Sequence, residues 1–530
     1  MEKKKKAANN LMKGLRIWVI IPALALLVAT VVLSFINYDA FLDVTTKAKN
    51  FMVIDMGWVF NIMGVASILA LILVYFTPLK DVRLGGPDAK PLLKKSTWFA
   101  ITLCTTIAAG ILFWGTAEPI YHLAYPPASL GIKPMSPEAA KFAMETMYLH
   151  WTFVPYALYA LPTIVFGFAY YNMRRPFSVG SEIAPLIGEE KQLKANSIID
   201  AIVLFTVATG ISSSFGTAVL NMGGGLNAIF GLNNDKNLWV IITILGAIAF
   251  IISSGTGLMK GIKYLSDFNV YIYYVIIGAL LLVGPTKYFM GLGTEAFGGF
   301  LDNFFSKAMF TGTAYGDAWG SDWTMFYWSN WMAWAPVSAV FLARIAYGYK
   351  IKEIIMMNLF IPGIFSVVWM TILSGTSINF QMTGRVDILS IMNEQGAGAA
   401  AYAILREFPL SGLFIFIYVL AVFISFITAT DSTTNAMASI STSGMDDGTK
   451  EAPLSIKIMW GTVITVVTLV FLITLGIDGI RMMSYLGGFP ALFIGALSLV
   501  SLVLMMKKHS KMDKVSEKSE NMKSDNDETA

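Results

Sequence analysis

Twelve long apolar runs constrain this chain more than any other feature of its sequence. A helix needs about 20 apolar residues to cross the ~30 Å hydrocarbon core of a bilayer. Only 14% of the 530 residues are charged, too few to cover the core of a soluble protein of this length. Strands of an outer-membrane barrel alternate in polarity and contain no such runs. The predicted fold class is therefore an all-α membrane protein with twelve transmembrane helices. The runs lie near residues 16–36, 55–76, 97–117, 146–171, 198–229, 238–255, 266–286, 323–347, 354–375, 411–430, 457–476 and 483–506.

The positions of Lys and Arg orient these helices. With the N-terminus placed in the cytoplasm, 28 of the 38 basic residues fall on the cytoplasmic side and ten fall outside. Basic residues concentrate in cytoplasmic loops, so this split predicts an even number of spans with both termini cytoplasmic.

The runs and the segments between them divide the chain into six parts. The connection before the eighth run places apolar side chains on one face of residues 296–310, which predicts an interfacial helix too short to span. Residues 376–410 are expected to form a long outer loop with its own helical stretch. The expected parts are a basic cytoplasmic tail at 1–15, two peripheral transmembrane helices in 16–96, five helices in 97–286, an outer amphipathic linker helix in 287–322, five helices in 323–506 and a disordered cytoplasmic tail at 507–530.

Glycines and hydroxyl side chains interrupt three of the runs, at residues 105–111, 209–225 and 428–435. Such interruptions in two halves of a chain are typical of transporters with inverted repeats, although small residues also serve helix packing.

Ionisable groups at membrane depth form a second set of candidates. Glu118 and Asp431 are carboxylates in or beside the runs, where function and a structural cap or ion pair are equal alternatives. His122 and His150 are expected to be interfacial, with a proton relay as the alternative.

The eighth run contains the most informative cluster, at residues 323–334. Trp328, Trp331 and Trp334 recur every three residues, which predicts a stripe on one helix face. From residue 323 to 334 a helix rises about 16 Å, so the stripe runs deeper than an interfacial belt. A quaternary ammonium group has no N–H to donate and is bound by aromatic faces instead. The fourth run adds three rings for such a site, those of Trp151, Tyr156 and Tyr159.

Several motifs resemble the betaine/carnitine/choline transporter family across about residues 16–506. They are WTMFYWSNWMAWAP at 323–336, FLARIAYG at 341–348, LFWGTAEP at 112–119, HWTFVPY at 150–156 and GLMKGIKYLSDFN at 257–269. The resemblance implies a five-plus-five inverted-repeat (LeuT-like) core with two peripheral N-terminal helices, assembled as a homotrimer in the inner membrane of a prokaryote. It also implies alternating-access transport of quaternary (trimethyl)ammonium compounds such as carnitine, γ-butyrobetaine, glycine betaine or choline.

Matching positions carry the family's binding residues onto this chain. The resemblance implies that Tyr121 joins the substrate site and that Trp323 belongs to a second, outer site. Asn330 stands where the family usually has a Trp, so its amide is expected to bond a substrate carboxylate or hydroxyl. The implied central site comprises Trp328, Trp331, Trp334, Trp151, Tyr156 and Tyr159.

The ion-coupling region departs from the sodium-coupled members. Their sodium is held by hard oxygen ligands, partly from a Thr-Ser pair in the tenth span, whereas this chain has Thr428-Ala429. Lys263 falls where the antiporter branch places a basic side chain. These departures favour sodium-independent substrate:product exchange, as in the carnitine/γ-butyrobetaine antiporter branch.

Two other observations bear on the coupling. Thr106, Ala108 and Gly110 stand where the sodium-coupled members have three glycines, so the glycine motif is incomplete, which also points to the antiporter branch. Asp431 and Ser432 support the alternative, a symporter with Na⁺ as the coupling ion.

Other functional classes fit less well. The three histidines are scattered, and neither a nucleophile–base pair nor a nucleotide-binding loop is recognisable, so we expect no enzyme, no cofactor and no nucleic-acid partner. A cation channel would need a continuous polar lining, whereas the cluster at 323–334 is aromatic.

Overall fold

The computed structural model describes residues 14–106, 108–255, 258–445 and 452–527, with side chains except at Ala108, 258–263 and 510–527. Within these ranges the chain is helical, and β pairing is limited to two isolated bridges, Leu15 with Thr442 and Arg83 with Lys350. The longer α-helices are α1 Ile17–Ile36, α2 Tyr38–Lys49, α3 Gly57–Tyr75, α4 Lys95–Thr106, α5 Ala108–Ala124, α6 Pro137–Trp151, α7 Phe153–Gly167, α8 Glu189–Phe230, α9 Lys236–Gly255, α10 Leu258–Val283, α11 Thr286–Asp302, α12 Thr324–Ile345, α13 Ile361–Thr383, α14 Ile388–Gln395, α15 Ser411–Ile440, α16 Leu454–Leu475 and α17 Ile477–Asp527. Short α-helices cover Ala184–Ile187, Phe304–Ala308, Trp319–Asp322, Ile351–Ile355 and Ala400–Leu405, and π-helical turns cover Asn50–Asp55, Phe168–Asn172 and Met356–Phe360.

Ten helical segments of the described chain are long and apolar enough to cross a membrane, or eleven if the bent pair α4 and α5 is one span. The predicted eighth span, α12, is outside this set because its tryptophans, serines and asparagine lower its hydropathy. Its 22 residues would nevertheless extend about 33 Å at 1.5 Å per residue. The all-helical membrane fold is confirmed, and the count of twelve spans stays a prediction.

The third span is broken as the sequence predicts, because the axes of α4 and α5 differ by 59°. The two other predicted interruptions are wrong, since α8 and α15 run unbroken through them. The hydroxyl of Thr209 donates to Phe205 O at 3.1 Å, and that of Thr428 donates to Ile424 O at 2.9 Å. These hydroxyls are satisfied by their own helix, which therefore need not unwind.

Three boundaries also differ from the sequence prediction. The linker helix α11 begins at Thr286 and ends at Asp302, with a separate turn at Phe304–Ala308, rather than running over 296–310. Residues 507–527, predicted as disordered, continue α17 as a helix, because Lys, Glu and Met are good helix formers. The outer loop does contain the expected helical stretch, in α14, although α13 extends to Thr383.

Helix α12 is the centre of the packing. It contacts α7, α8 and α17, and of its residues only Asn330 and Arg344 are not buried. At the crossing with α17, a Cβ at Gly488 would overlap the carbonyl oxygen of Ser329 and lie 2.5 Å from its Cα. The two backbones are therefore in direct contact beside Asn330. Helix α1 is peripheral by contrast, and Trp18 on its surface is 84% exposed.

We predict that Gly488→Ala lowers stability by about 1–3 kcal/mol, the usual cost of overpacking, because the α12 backbone cannot yield as a side chain would. Gly278→Ala on α10 is the control, since a Cβ there meets no atom within 4 Å. The measurement is the temperature at which half of the detergent-purified protein aggregates. Equal temperatures for both variants would contradict the close contact.

Candidate substrate-binding site

Four aromatic rings from α6, α7 and α12 form the centre of the site, and we call them the aromatic box. The ring centroids of Trp151 and Trp331 are 5.0 Å apart at 79°, and those of Trp151 and Tyr327 are 5.2 Å apart at 67°. Tyr159 closes a further side, 6.5 Å from Trp331, and its hydroxyl is buried without a hydrogen-bond partner. The Trp331 indole donates to His150 O at 3.0 Å, which fixes its orientation.

The structure separates the three tryptophans that the sequence places in one stripe. Trp331 lies in the box, whereas the indole of Trp328 is 3.6 Å from where a Cβ of Gly64 on α3 would lie. Trp334 faces α8, with its Cδ1 3.4 Å from the corresponding position at Gly210. Each three-residue step falls about 60° short of a full turn, so residues six apart are about 120° apart on the helix. The expected single stripe is therefore wrong.

Two other predicted residues lie outside the box. The side-chain oxygen of Asn330 accepts from Ser484 at 3.0 Å, and Ser484 lies 2.8 Å from Ser213 on α8. This series of hydrogen bonds joins α12, α17 and α8. Tyr156 is fully buried, with its hydroxyl 3.3 Å from Ser366 on α13.

A single buried carboxylate, Glu118 of α5, holds the box together. The Trp151 indole and the Tyr327 hydroxyl donate to Glu118 Oε2 at 2.6 and 2.5 Å. His150 Nδ1 and His122 Nε2 lie 2.7 and 3.0 Å from Oε1. Four donors thus stabilise a charge that would be costly to bury alone. Both histidines are fully buried within the protein, and their position near the outer membrane boundary stays a prediction.

The sequence analysis identified Glu118, His122, His150 and Trp151 as separate candidates. It did not identify Tyr327, and it did not predict that the five side chains form one network. The available signals were the four-residue spacings of Glu118 with His122 and of Tyr327 with Trp331, which place each pair on one helix face. The contact between α5 and α12 spans 209 residues of sequence, and no local pattern encodes it.

A second aromatic group, the outer cluster, adjoins the box through Tyr327. It contains Trp323, whose centroid is 5.5 Å from Tyr121 and 6.1 Å from Trp114. The structure thus places Tyr121, which the resemblance assigns to the substrate site, beside Trp323 of the predicted outer site instead of in the aromatic box. Tyr327 connects the two groups, with its centroid 6.2 Å from that of Trp114. Trp114 and Arg481, which also belong to this cluster, were not predicted.

A small cavity lined mainly by hydroxyls lies between α4, α12 and α15. Thr105 and Thr106 donate their protons to backbone carbonyls of α4 at 2.7 Å, and Ser432 donates to Ala429 O at 2.9 Å. Hydroxyl oxygens are hard ligands of the kind that suits a hard cation. Ser432 lies one turn beyond the predicted Thr428. The cavity is lined by Thr105, Thr106, Ser338, Ser432 and Thr433, with Val337, Phe341 and Leu342.

The structure does not place the other residues predicted for ion coupling in the lining of this cavity. Asp431 of α15 accepts hydrogen bonds from Ser253 and Ser254 on α9 at 2.8 and 2.7 Å. These bonds connect α15 to α9. Gly110 lies against the box, since a Cβ there would be 3.0 Å from Trp151 Cη2. The side chains of Lys263 and Ala108 lie outside the described part of the structure.

Comparison with known proteins gives a match over nearly the whole chain. The family model of the betaine/carnitine/choline family transporters (BCCT) matches residues 18–511. The glycine betaine transporter OpuD of Bacillus subtilis (strain 168) is 26% identical, over 94% of this chain and 96% of its own. The ectoine/hydroxyectoine transporter of Virgibacillus pantothenticus is 27% identical, over 88% and 92%. The osmo-independent choline transporter BetT1 of Acinetobacter baylyi (strain ATCC 33305 / BD413 / ADP1) is 25% identical, over 86% of each chain.

Among solved structures, a Na⁺-coupled sialic acid symporter is similar to this chain with a TM-score of 0.45. Its sequence is 13% identical, and the alignment covers 86% of this chain and 97% of the symporter.

We predict that Glu118→Gln destabilises the protein by about 1–3 kcal/mol, because the new NH₂ group would face two donors and leave them unsatisfied. Glu394→Gln is the matched control, since Glu394 is exposed on α14. The aggregation temperature of each detergent-purified variant gives the result. A Glu118→Gln protein as stable as the control would show that the four donors do not depend on the carboxylate.

Proposed function

Because the chain belongs to the betaine/carnitine/choline transporter family, we propose that it is a secondary active transporter of quaternary ammonium compounds by alternating access. The family consists of transporters and not of enzymes. The observation that carries the proposal is the aromatic box held by Glu118. Glycine betaine, choline, carnitine and γ-butyrobetaine are the candidate substrates, and the first two also appear in the names of relatives.

The box is suited to a cation that cannot donate hydrogen bonds. Trp151 and Tyr327 direct their own donors to Glu118, so what remains toward a ligand is ring surface. Ring faces attract a trimethylammonium group through the quadrupole, by about 2 kcal/mol or more when it is desolvated. The charge of Glu118 behind the rings adds attraction without offering a free carboxylate to Na⁺ or Lys.

The closed geometry of the box supports alternating access. The edge-to-face contact of Trp151 and Trp331, at 5.0 Å, leaves no room for a trimethylammonium group between these two rings. Substrate must separate them, and the broken span at α4 and α5, which carries Glu118, offers a hinge. Entry of substrate and movement of this span are therefore coupled in our proposal.

For the coupling we propose sodium-independent substrate:product exchange, of the carnitine/γ-butyrobetaine type. Its support is Ala429 in place of a hydroxyl residue and the position of Lys263 in the sequence. The second candidate is sodium-coupled symport, which the hydroxyl cavity at Thr105, Ser338 and Ser432 favours.

The assembly and topology also stay proposals. We propose twelve spans in which 97–286 and 323–506 form two five-helix repeats, preceded by two peripheral helices and separated by the outer linker helix. Both termini would face the cytoplasm of a prokaryotic cell, which the basic residues support. A homotrimer in the lipid bilayer follows from the family resemblance.

We predict that Trp331→Ala raises the KM for glycine betaine uptake by about tenfold, because it removes one wall of the box. Trp331→Phe keeps a ring, so its KM should lie between those of Trp331→Ala and the wild type. Trp18→Ala is the control, since Trp18 is exposed on α1. Unchanged uptake of every quaternary amine by Trp331→Ala would refute the box as the binding site.

The coupling is tested in proteoliposomes with and without internal substrate. Exchange predicts that internal γ-butyrobetaine or betaine accelerates uptake and that a sodium gradient has no effect. Sodium-driven uptake into empty vesicles would overturn exchange. In that case Ser338→Ala should weaken the sodium dependence, whereas Thr474→Ala on α16, remote from the cavity, should leave it unchanged.

A further inference from the structure

Arg481 of α17 lies over the outer cluster. Its guanidinium carbon is 4.8 Å from the ring centroid of Trp323, 5.5 Å from Phe326 and 6.0 Å from Trp114. The cation therefore already sits at an aromatic surface of the kind that binds ammonium groups.

One buried donor of this guanidinium has no acceptor among the described residues. Its Nε is buried and has no hydrogen-bond partner, and no carboxylate of the described residues pairs with Arg481 within 4.0 Å. The nearby carboxylate of Asp322 is taken by Lys49 at 3.1 Å. A buried donor without an acceptor is costly, so the position favours a ligand that brings one.

Arg385 shows what a completed arrangement of this type looks like in the same chain. Its guanidinium lies 4.4 Å over Phe380, and its edge donates to the carboxylate and the carbonyl of Glu407 at 3.2 and 2.9 Å. Arg481 has the ring contacts without the carboxylate. The missing partner is therefore a carboxylate, which a guanidinium binds along its edge through paired hydrogen bonds.

We propose that Arg481 recognises the carboxylate of a zwitterionic substrate in the outer cluster and so makes the transporter prefer zwitterions to plain cations. This inference rests on the proposed function and names its substrate class, a small molecule with both a cationic head and a carboxylate. Choline, which has no carboxylate, meets only repulsion from the guanidinium.

The position of Arg481 also orients such a substrate. Tyr327 connects the two groups, because its hydroxyl donates to Glu118 and its ring lies 4.9 Å from Phe326, over which Arg481 sits. A zwitterion entering from the outer cluster is therefore aligned with its carboxylate outward and its cationic head toward the box.

The test compares glycine betaine with choline in proteoliposomes, using the wild type, Arg481→Gln, Arg481→Lys and Arg385→Gln. The readout is the ratio of kcat/KM for the two compounds within one variant, which cancels differences in folding and reconstitution. Arg481→Gln should lower the betaine-to-choline ratio by about tenfold or more, the range expected for losing charged hydrogen bonds. The ratio for Arg481→Lys should fall between those of Arg481→Gln and the wild type, because lysine keeps the charge but not the paired donors.

Arg385→Gln removes an outer guanidinium whose donors are already satisfied, and it should leave the ratio within about twofold of the wild type, as surface ion pairs contribute little. An Arg481→Gln protein that loses both activities equally, or keeps the wild-type ratio, would overturn the inference while leaving the proposed function standing. A wild type that takes up no zwitterion and no choline would overturn both.

Discussion

The arrangement of the site depends on one buried carboxylate. Glu118 accepts hydrogen bonds from α6 and α12 and from a histidine one turn along its own helix, so a single side chain sets the relation of three helices. An ionised carboxylate in an apolar interior is stable only when its lone pairs are occupied, and here they are. The same bonds consume the polar atoms of Trp151 and Tyr327. The surface left for a ligand is therefore aromatic, although the charge that makes it attractive to cations lies directly behind it.

The all-helical membrane fold follows from the sequence because its determinants are local. A run of apolar residues is sufficient to predict a membrane helix, and small and hydroxyl residues at 105–111 correctly indicated the break in the third span. The same residue types misled at 209–225 and 428–435, because a hydroxyl bonded to its own helix and a hydroxyl that unwinds a helix look identical in sequence. Only the tertiary surroundings distinguish the two.

The sequence predicted several of the aromatic residues of the site, but it did not predict which of them face one another. Trp151 and Trp331 were expected to meet, and they do. Trp328 and Trp334 were expected beside Trp331, and helix geometry turns them toward α3 and α8 instead. Arg481 was counted only as a basic residue of an outer loop, since nothing near it in sequence shows that α17 brings it over Trp323. Contacts across hundreds of residues decide which rings face one another, and a single sequence carries no record of them.

The glycine contact between α12 and α17 has a consequence for motion. Two helices whose backbones touch cannot slide independently, because no flexible side chain lies between them to absorb the shift. Trp323 precedes the first of these helices and Arg481 lies in the second, so the contact between the two backbones also fixes the ring relative to its guanidinium. Trp114 and Glu118 belong to the bent third span, which the Glu118–Tyr327 hydrogen bond ties to α12. The outer cluster therefore draws its members from both the bent third span and the pair α12 and α17, so the two parts share one aromatic surface.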